Sequence, residues 1–258
     1  MGCKATKQMS LDELLGKIIS AISQTVPEKK IGVAFSGGVD SATIAKICSD
    51  MNYYVTLLTI GFAGSHDIAF SKQVNDFLKL PHKISEIDPN EFDGIAAKIR
   101  STIKTDNLSW NENCIAFYHV AKLAKRFGFS VVVTANGIDE LFCGYNAYRD
   151  AIKEGKKKVM DLMESKLENE MSMMKAVNLV CSEFGVRIVQ PLLSDDFIEY
   201  AKSVPISDKI TDENDLLRKY IIRKLALKIG VPELSANARK KALQYGSLIH
   251  KALMNQKH

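Results

Sequence analysis

Apolar positions along the chain fall into two rhythms that alternate from residue 10 to about residue 135. Residues 10–25 set Leu11, Leu14, Leu15, Ile18, Ile19 and Ile22 at helical spacing behind Ser10, with Glu13 three residues on. That pattern predicts a capped amphipathic helix. Ile31 to Phe35 is a short apolar run that stops at Ser36-Gly37-Gly38, after which Ser41 to Asp50 carries Ile44, Ala45, Ile47 and Cys48 on one helical face. Strand, glycine turn and helix follow in that order. Tyr54 to Ile60 reads as a second strand, Asp67 to Leu80 as a helix, Lys83 to Ile87 as a weaker strand, and Pro89 opens a helix to about Lys104. Residues 111–127 are helical in spacing, Gly128 ends them, and Phe129 to Ala135 is an almost wholly apolar strand. Strands alternating with helices predict an α/β fold with an open parallel sheet covered by helices on both faces. From about residue 138 the pattern is helical, so the C-terminal half is expected to be mostly α-helical. No repeat or Pro/Gly-rich linker divides the chain. It reads as one domain with an N-terminal helix (1–29), a sheet-bearing part (30–145) and a helical part (146–258).

Composition narrows the classes. Of 258 residues, 46% are hydrophobic and 25% charged, which excludes a disordered, collagen-like or disulfide-framework protein. No apolar run approaches the about 18 residues that span a bilayer, and the start lacks the apolar core of a signal peptide. A cytoplasmic location without membrane contact is the expectation. The five cysteines (Cys3, Cys48, Cys114, Cys143, Cys181) are odd in number and never in a CxxC pair, so they read as reduced thiols. The methionines at 160, 163, 171, 173 and 174 read as fillers of an irregular core. The net charge of +5 is uneven: residues 206–258 carry 11 basic and 5 acidic side chains, so all the excess is C-terminal.

Two segments carry chemistry. Ser36-Gly37-Gly38-Val39-Asp40-Ser41 lies between a buried strand and a helix, where glycines let backbone N–H groups approach an anion and the helix N-terminus adds a positive dipole end. Phosphate suits such a loop. No lysine follows the glycines, so this is not the common GxxxxGK[ST] loop, and Asp40 would repel phosphate without an intervening cation. A bridging Mg²⁺ meets that requirement. The second segment is Thr134-Ala135-Asn136-Gly137-Ile138-Asp139-Glu140-Leu141-Phe142-Cys143-Gly144-Tyr145, in which a strand end is followed by glycine and an acidic pair. It sits at the carboxyl edge of the sheet, where open α/β sheets bind ligands.

The first segment resembles the pyrophosphate loop of the PP-loop (N-type) ATP pyrophosphatases, whose fold is of the adenine nucleotide alpha hydrolase type. The second resembles the SGEGADELFGGY signature of the synthetase domain of asparagine synthetases and β-lactam synthetases. The resemblance implies ATP bound on Ser36, Gly37, Gly38, Val39, Asp40 and Ser41, with Ala34, Ile60, Ala135 and Gly137 around the nucleotide. It implies Mg²⁺ held by Asp40 and Asp139. Leu58 to Phe62 with Ser65-His66-Asp67 resembles a further family stretch, and His66 reads there as a loop residue without a metal role. Arg239-Lys240-Lys241 to Gly246 resembles the family's R-x-K…Q-Y-x-G segment, which places Lys241 on the catalytic lysine. Gln190 to Asp195 is a loose echo of another family stretch and receives no role. The resemblance runs from about residue 30 to 250.

Departures qualify the expected reaction. Asn136 stands where asparagine synthetases usually have a glutamate, and an amide cannot act as a general base. Glu140 is left as a carboxylate to pair with Lys241 or take the proton. Asp106 to Asn113, with Trp110, lacks the usual substrate-side pattern and reads as a capped helix start or a substrate-facing loop. About 30 residues precede the phosphate loop, so the glutaminase domain of glutamine-using relatives is not expected, and ammonia would come from solution or a separate glutaminase. The resemblance thus implies an ATP-dependent ligase that adenylates a carboxylate, by default aspartate, and transfers the acyl group to ammonia or another amine. A PP-loop tRNA-modifying enzyme and a non-catalytic ATP-binding subunit are the alternatives. Nucleic acid is disfavoured, because part of the C-terminal charge suits a triphosphate; a homodimer is left open.

Overall fold

A computed structural model describes residues 10–239 and 241–255. Five parallel strands form one sheet: β1 (Lys30–Ala34), β2 (Tyr54–Gly61), β3 (His82–Glu86), β4 (Val131–Val133) and β5 (Arg187–Val189), in the order β3-β2-β1-β4-β5. Between and after them run α1 (Leu11–Thr25), α2 (Val39–Asp50), α3 (His66–Leu78), α4 (Pro89–Ile103), α5 (Leu108–Arg126), α6 (Ile138–Leu141), α7 (Ala147–Glu154) and α8 (Lys156–Cys181). The remainder holds α9 (Asp195–Ser203), α10 (Ile206–Lys209), α11 (Tyr220–Lys228), α12 (Glu233–Ala236), α13 (Leu243–Gly246) and α14 (Ile249–Asn255). Cys3 and Lys240 lie outside the described residues.

Strand residues alternate between two cores, as the pleat requires. Ile31, Val33, Leu57, Val131 and Val133 pack with α1, α2, α9 and α11, whereas Leu58, Ile60, Val132 and Ile188 pack with α4, α5, α14 and the C-terminal half of α8. Both faces are therefore covered, as a parallel sheet needs. Gly32 makes this possible at the centre: a side chain there would lie 2.6 Å from Leu58 Cδ1.

Residues 146–255 are mostly helical, as expected, with one short strand among the helices. Arg187–Val189 forms β5, paired with β4 through Val131↔Arg187, Val132↔Ile188 and Val133↔Val189. Three residues are too few to display a period of two. The exposed edge of β5 is closed by a side chain: Asn178 accepts from Ile188 N at 2.9 Å and donates to Ile188 O at 3.1 Å. Edge strands are often blunted in this manner. The methionine cluster divides, with Met163, Met173 and Met174 buried in the cores and Met171 exposed. Among the described residues, no helix is long and apolar enough to cross a membrane.

Strand order fixes where a ligand fits. The chain moves from β1 outward through β2 to β3, then returns to the other side of β1 as β4. The loops leaving β1 and β4 diverge at their carboxyl ends, and a crevice opens between them.

Candidate active site

The loop after β1 is held open by its own hydroxyls. Ser36 N donates to Ser41 Oγ at 3.3 Å, Gly38 N donates to Ser36 Oγ at 3.3 Å, and Ser41 Oγ donates to Gly38 O at 3.1 Å. Gly37 has φ +82°, and a Cβ there would stand 3.0 Å from Phe70 and 3.1 Å from Ser71, so helix α3 presses directly on the loop. Ser235 of α12 donates to Gly37 O at 2.6 Å from the other side. The first N–H groups of α2 have no helical acceptors and are available to an anion.

The turn after β4 is just as constrained. Gly137 has φ +105°, and a Cβ would lie 3.0 Å from Leu192 O. Asp139 is seated on Gly144, where a Cβ would approach Asp139 Oδ1 to 1.8 Å. Glu140 is buried; its carboxylate accepts from Gly137 N at 3.1 Å and from the Tyr145 hydroxyl, while Tyr148 donates to its carbonyl at 2.6 Å. The Tyr145 phenol is driven far above its ordinary range by burial and by the nearby carboxylates of Glu140, Asp139 and Glu170.

Both segments open into one cavity of about 540 Å³. Ala34, Ser36, Gly38, Val39, Asp40 and Ser41 line its β1 side. Ile60, Ala135, Asp139, Glu140 and Lys241 line the rest of the predicted set, while Gly37 and Gly137 shape the turns from behind the wall. Lys241 is exposed at the cavity mouth.

Sequence reasoning missed the residue at the centre. Lys219 Nζ donates to Asp40 Oδ2 at 2.6 Å and to Asp139 Oδ1 at 2.8 Å, with only 1% of its side chain exposed. Burial alone would push its pKa down, but Asp139 and Asp40 outweigh that and hold it above the ordinary lysine value. Arg218 and Lys219 are both left-handed, at φ 52° and 54°, a strained pair of non-glycine residues of the sort that collects at functional sites. Arg223 fixes that turn by donating to Leu217 O and Arg218 O, and reaches Ala238 O at 2.9 Å, which ties it to the strand of chain leading to Lys241.

The wall opposite the phosphate loop is polar and comes from α5 and α8. Ser109, Asn113, Lys166, Asn169 and Glu170 line it, and Trp110 Nε1 donates to Asn169 Oδ1 at 3.0 Å. The segment around Trp110 is thus a capped helix start, with Asn107 as N-cap, and also faces the cavity. Asn136 Nδ2 donates to Glu170 Oε1 at 2.6 Å. A buried carboxylate from α8 therefore stands beside the position where a glutamate was expected and asparagine is found.

The two aspartates suit Mg²⁺. Asp40 Oδ1 is buried without a hydrogen-bond partner, and an oxygen atom of that kind, close to Asp139 and the phosphate loop, is a hard ligand. Among the described residues no group of three or more His, Cys, Asp or Glu could hold a metal alone, so the remaining positions would fall to phosphate oxygens and water. The described cysteines are buried, and burial pushes the thiols of Cys48, Cys114 and Cys143 up to about 12, which removes them as nucleophiles.

Comparisons with known proteins bear on the family and the fold. The asparagine synthase family model matches residues 11–182, which include both glycine and carboxylate segments but end before Lys219 and Lys241. A Methanocaldococcus jannaschii protein named for glutamine-hydrolysing asparagine synthetase is 26% identical over 280 residues, covering 93% of this chain and 51% of its own length. Asparagine synthetase (glutamine-hydrolysing) 1 of Arabidopsis thaliana is 24% identical, covering 80% and 37%. The chain thus spans about half, or less, of the length of these relatives. Among solved structures, NMN synthetase from Francisella tularensis has a TM-score of 0.51 at 16% identity, covering 92% of this chain and 78% of that one, a likeness of fold.

Proposed function

Because the chain belongs to the asparagine synthase family, we propose that it activates a carboxylic acid with ATP, releases pyrophosphate, and passes the acyl group to an amine. One observation carries this reading: Asp40 and Asp139 leave different strands and converge on Lys219 at the head of a phosphate-type loop. Two carboxylates against one ammonium leave a net negative charge beside that loop, so a phosphate chain fits there with a divalent cation between them, as an adenylating enzyme would require.

On this reading Ser36 to Ser41 would cradle the β and γ phosphates, with Ala34, Ile60 and Ala135 around the nucleoside and Gly137 shaping the turn behind them. Asp40 and Asp139 would hold Mg²⁺, which supplies charge neutralisation to the phosphate oxygens. The acid oxygen attacks the α-phosphorus and the bond to the bridging oxygen breaks, so pyrophosphate leaves on the loop and an acyl-adenylate remains. The amine then attacks the acyl carbon, and AMP departs with the C–O bond electrons. Lys241 stabilises the negative charge on the tetrahedral centre and on the leaving phosphate.

The attacking amine must also lose a proton. We assign that acceptor role to Glu170, which lines the cavity itself and is oriented by the Asn136 amide, and leave Glu140 to brace the turn and Tyr145. Aspartate with ammonia is the default substrate pair. The test is pyrophosphate release across a panel of carboxylic acids with ATP, Mg²⁺ and ammonium. Asp40→Ala and Lys241→Ala should each abolish it; undiminished turnover in both would overturn the assignment.

A further inference from the structure

Phe35 N donates to Leu58 O at 2.9 Å, and β1 then gives way to the phosphate loop. The carbonyl of Phe35 is taken by a side chain. The Thr59 hydroxyl donates to Phe35 O at 2.6 Å, and its oxygen lies 2.8 Å from His82 Nε2. A hydroxyl has one proton, so with that proton spent on Phe35 O the histidine nitrogen must be the donor. Burial, with Lys72 nearby, lowers the His82 pKa to about 4, so the ring is neutral and carries its one proton on Nε2. The bonds therefore run in one direction, from β3 through β2 to the end of β1.

Phe35 O and Ser36 N belong to one rigid peptide unit. Thr59 holds its carbonyl end, while its N–H end donates to Ser41 Oγ at 3.3 Å, whose own proton goes to Gly38 O at 3.1 Å. The plane is thus clamped at both ends, and its tilt sets where the Ser41 hydroxyl and the Gly38 carbonyl stand. Thr59 is only 2% exposed, so water does not compete for Phe35 O, and bonds in such a chain polarise one another. The His82 ring also meets the Phe35 ring edge-on, with centroids 5.8 Å apart, and Phe35 lines the cavity. Thr59 and His82 stand behind that wall, so their effect on a ligand passes through the clamped peptide.

We propose that Thr59 and His82 are positioning residues that hold the Phe35–Ser36 peptide and, through it, the shape of the phosphate loop. This rests on the phosphate reading of Ser36 to Ser41 given above. A loop already in shape presents its N–H groups to an anion with little further ordering, which raises affinity.

The experiment compares Thr59→Val, Thr59→Ser and His82→Leu with the parent in two readouts. One is equilibrium binding of ATP, inorganic pyrophosphate and adenosine in the presence of Mg²⁺; the other is hydrogen exchange of peptides covering residues 35–41 and, as a control, β4. Thr59→Val leaves Phe35 O without its donor and should weaken ATP and pyrophosphate roughly 10-fold, with adenosine unchanged. His82→Leu should weaken both by about 3- to 10-fold. Exchange over residues 35–41 should quicken in both variants while β4 stays as in the parent. Thr59→Ser keeps the hydroxyl and should restore affinity and exchange together. Parent-like affinity for ATP and pyrophosphate in Thr59→Val would overturn the proposal, as would exchange that quickens equally in β4, which marks general destabilisation. If the parent binds neither ATP nor pyrophosphate while exchange over residues 35–41 still responds to Thr59→Val and recovers in Thr59→Ser, the clamp stands and the phosphate reading of the loop fails.

Discussion

Replacing Lys219 with methionine keeps most of the side chain's length and removes the cation between two carboxylates. At an effective dielectric constant of 20, contacts of 2.6 and 2.8 Å are each worth about 6 kcal/mol of gross attraction. Most of that offsets the desolvation of a lysine that is 1% exposed beside aspartates exposed to only 21% and 16%. Removing one partner leaves the other charges uncompensated, for a net loss of about 3–5 kcal/mol. In a chain of this size that lowers Tm by roughly 6–20 °C. The discriminating assay is a thermal melt with and without Mg²⁺. In Lys219→Met the divalent ion should restore part of the lost stability, about 1.4 kcal/mol at ten times its dissociation constant. The parent should respond less, because its own ammonium already offsets one of the two negative charges. An unshifted Tm in Lys219→Met, together with indifference to Mg²⁺, would refute the reasoning that this lysine and the metal answer the same two carboxylates.

Glu170→Gln should lower amide formation by roughly 100- to 10,000-fold by removing the proton acceptor. ATP–pyrophosphate exchange should survive, and its loss in parallel would argue against the assignment. Asn178→Ala strips the edge of β5 of two hydrogen bonds and should cost about 1–3 kcal/mol in chemical denaturation, with the KM for ATP unaffected. Burial, with help from Lys72 and Lys122 respectively, lowers the pKa of His82 and His119 to about 4, so both stay neutral when folded and take up protons on unfolding below about pH 6.5. Stability should therefore fall between pH 6.5 and about 4. Asp67, raised by burial to about 6, acts in the opposite sense, since its contribution is present below about pH 4 and is lost as pH rises through 6. Two histidines against one aspartate leave a net fall on acidification, and His82→Gln with His119→Gln should flatten or reverse it in pH-dependent melts.

What could be read from the chain depended on whether the signal was local. β1 and β4 are apolar runs that stop at glycine turns, so the phosphate loop and the Asp139 turn were both visible, and each sits where the sheet order opens a crevice. β5, no longer than β4, was hidden because it opens on a charged residue and lacks an apolar run like Phe129 to Ala135 around it. Lys219 was hidden by distance: it lies 179 residues from Asp40 and 80 from Asp139, in a charged loop whose other basic residues look alike in sequence. Glu170 was one of several acidic residues on α8, and helical spacing does not say which of them faces a cavity beyond the helix. The uneven charge gains an explanation here. Arg218, Lys219 and Arg223, all from the basic C-terminal part, are buried around the site.

The central claim is that a substrate carboxylate attacks the α-phosphorus of ATP. It is tested most directly by supplying the acid with ¹⁸O in its carboxyl group and analysing the products by mass spectrometry. One labelled oxygen should appear in AMP, with none in pyrophosphate, for every amide formed. Unlabelled AMP, or ADP with labelled inorganic phosphate, would contradict the account.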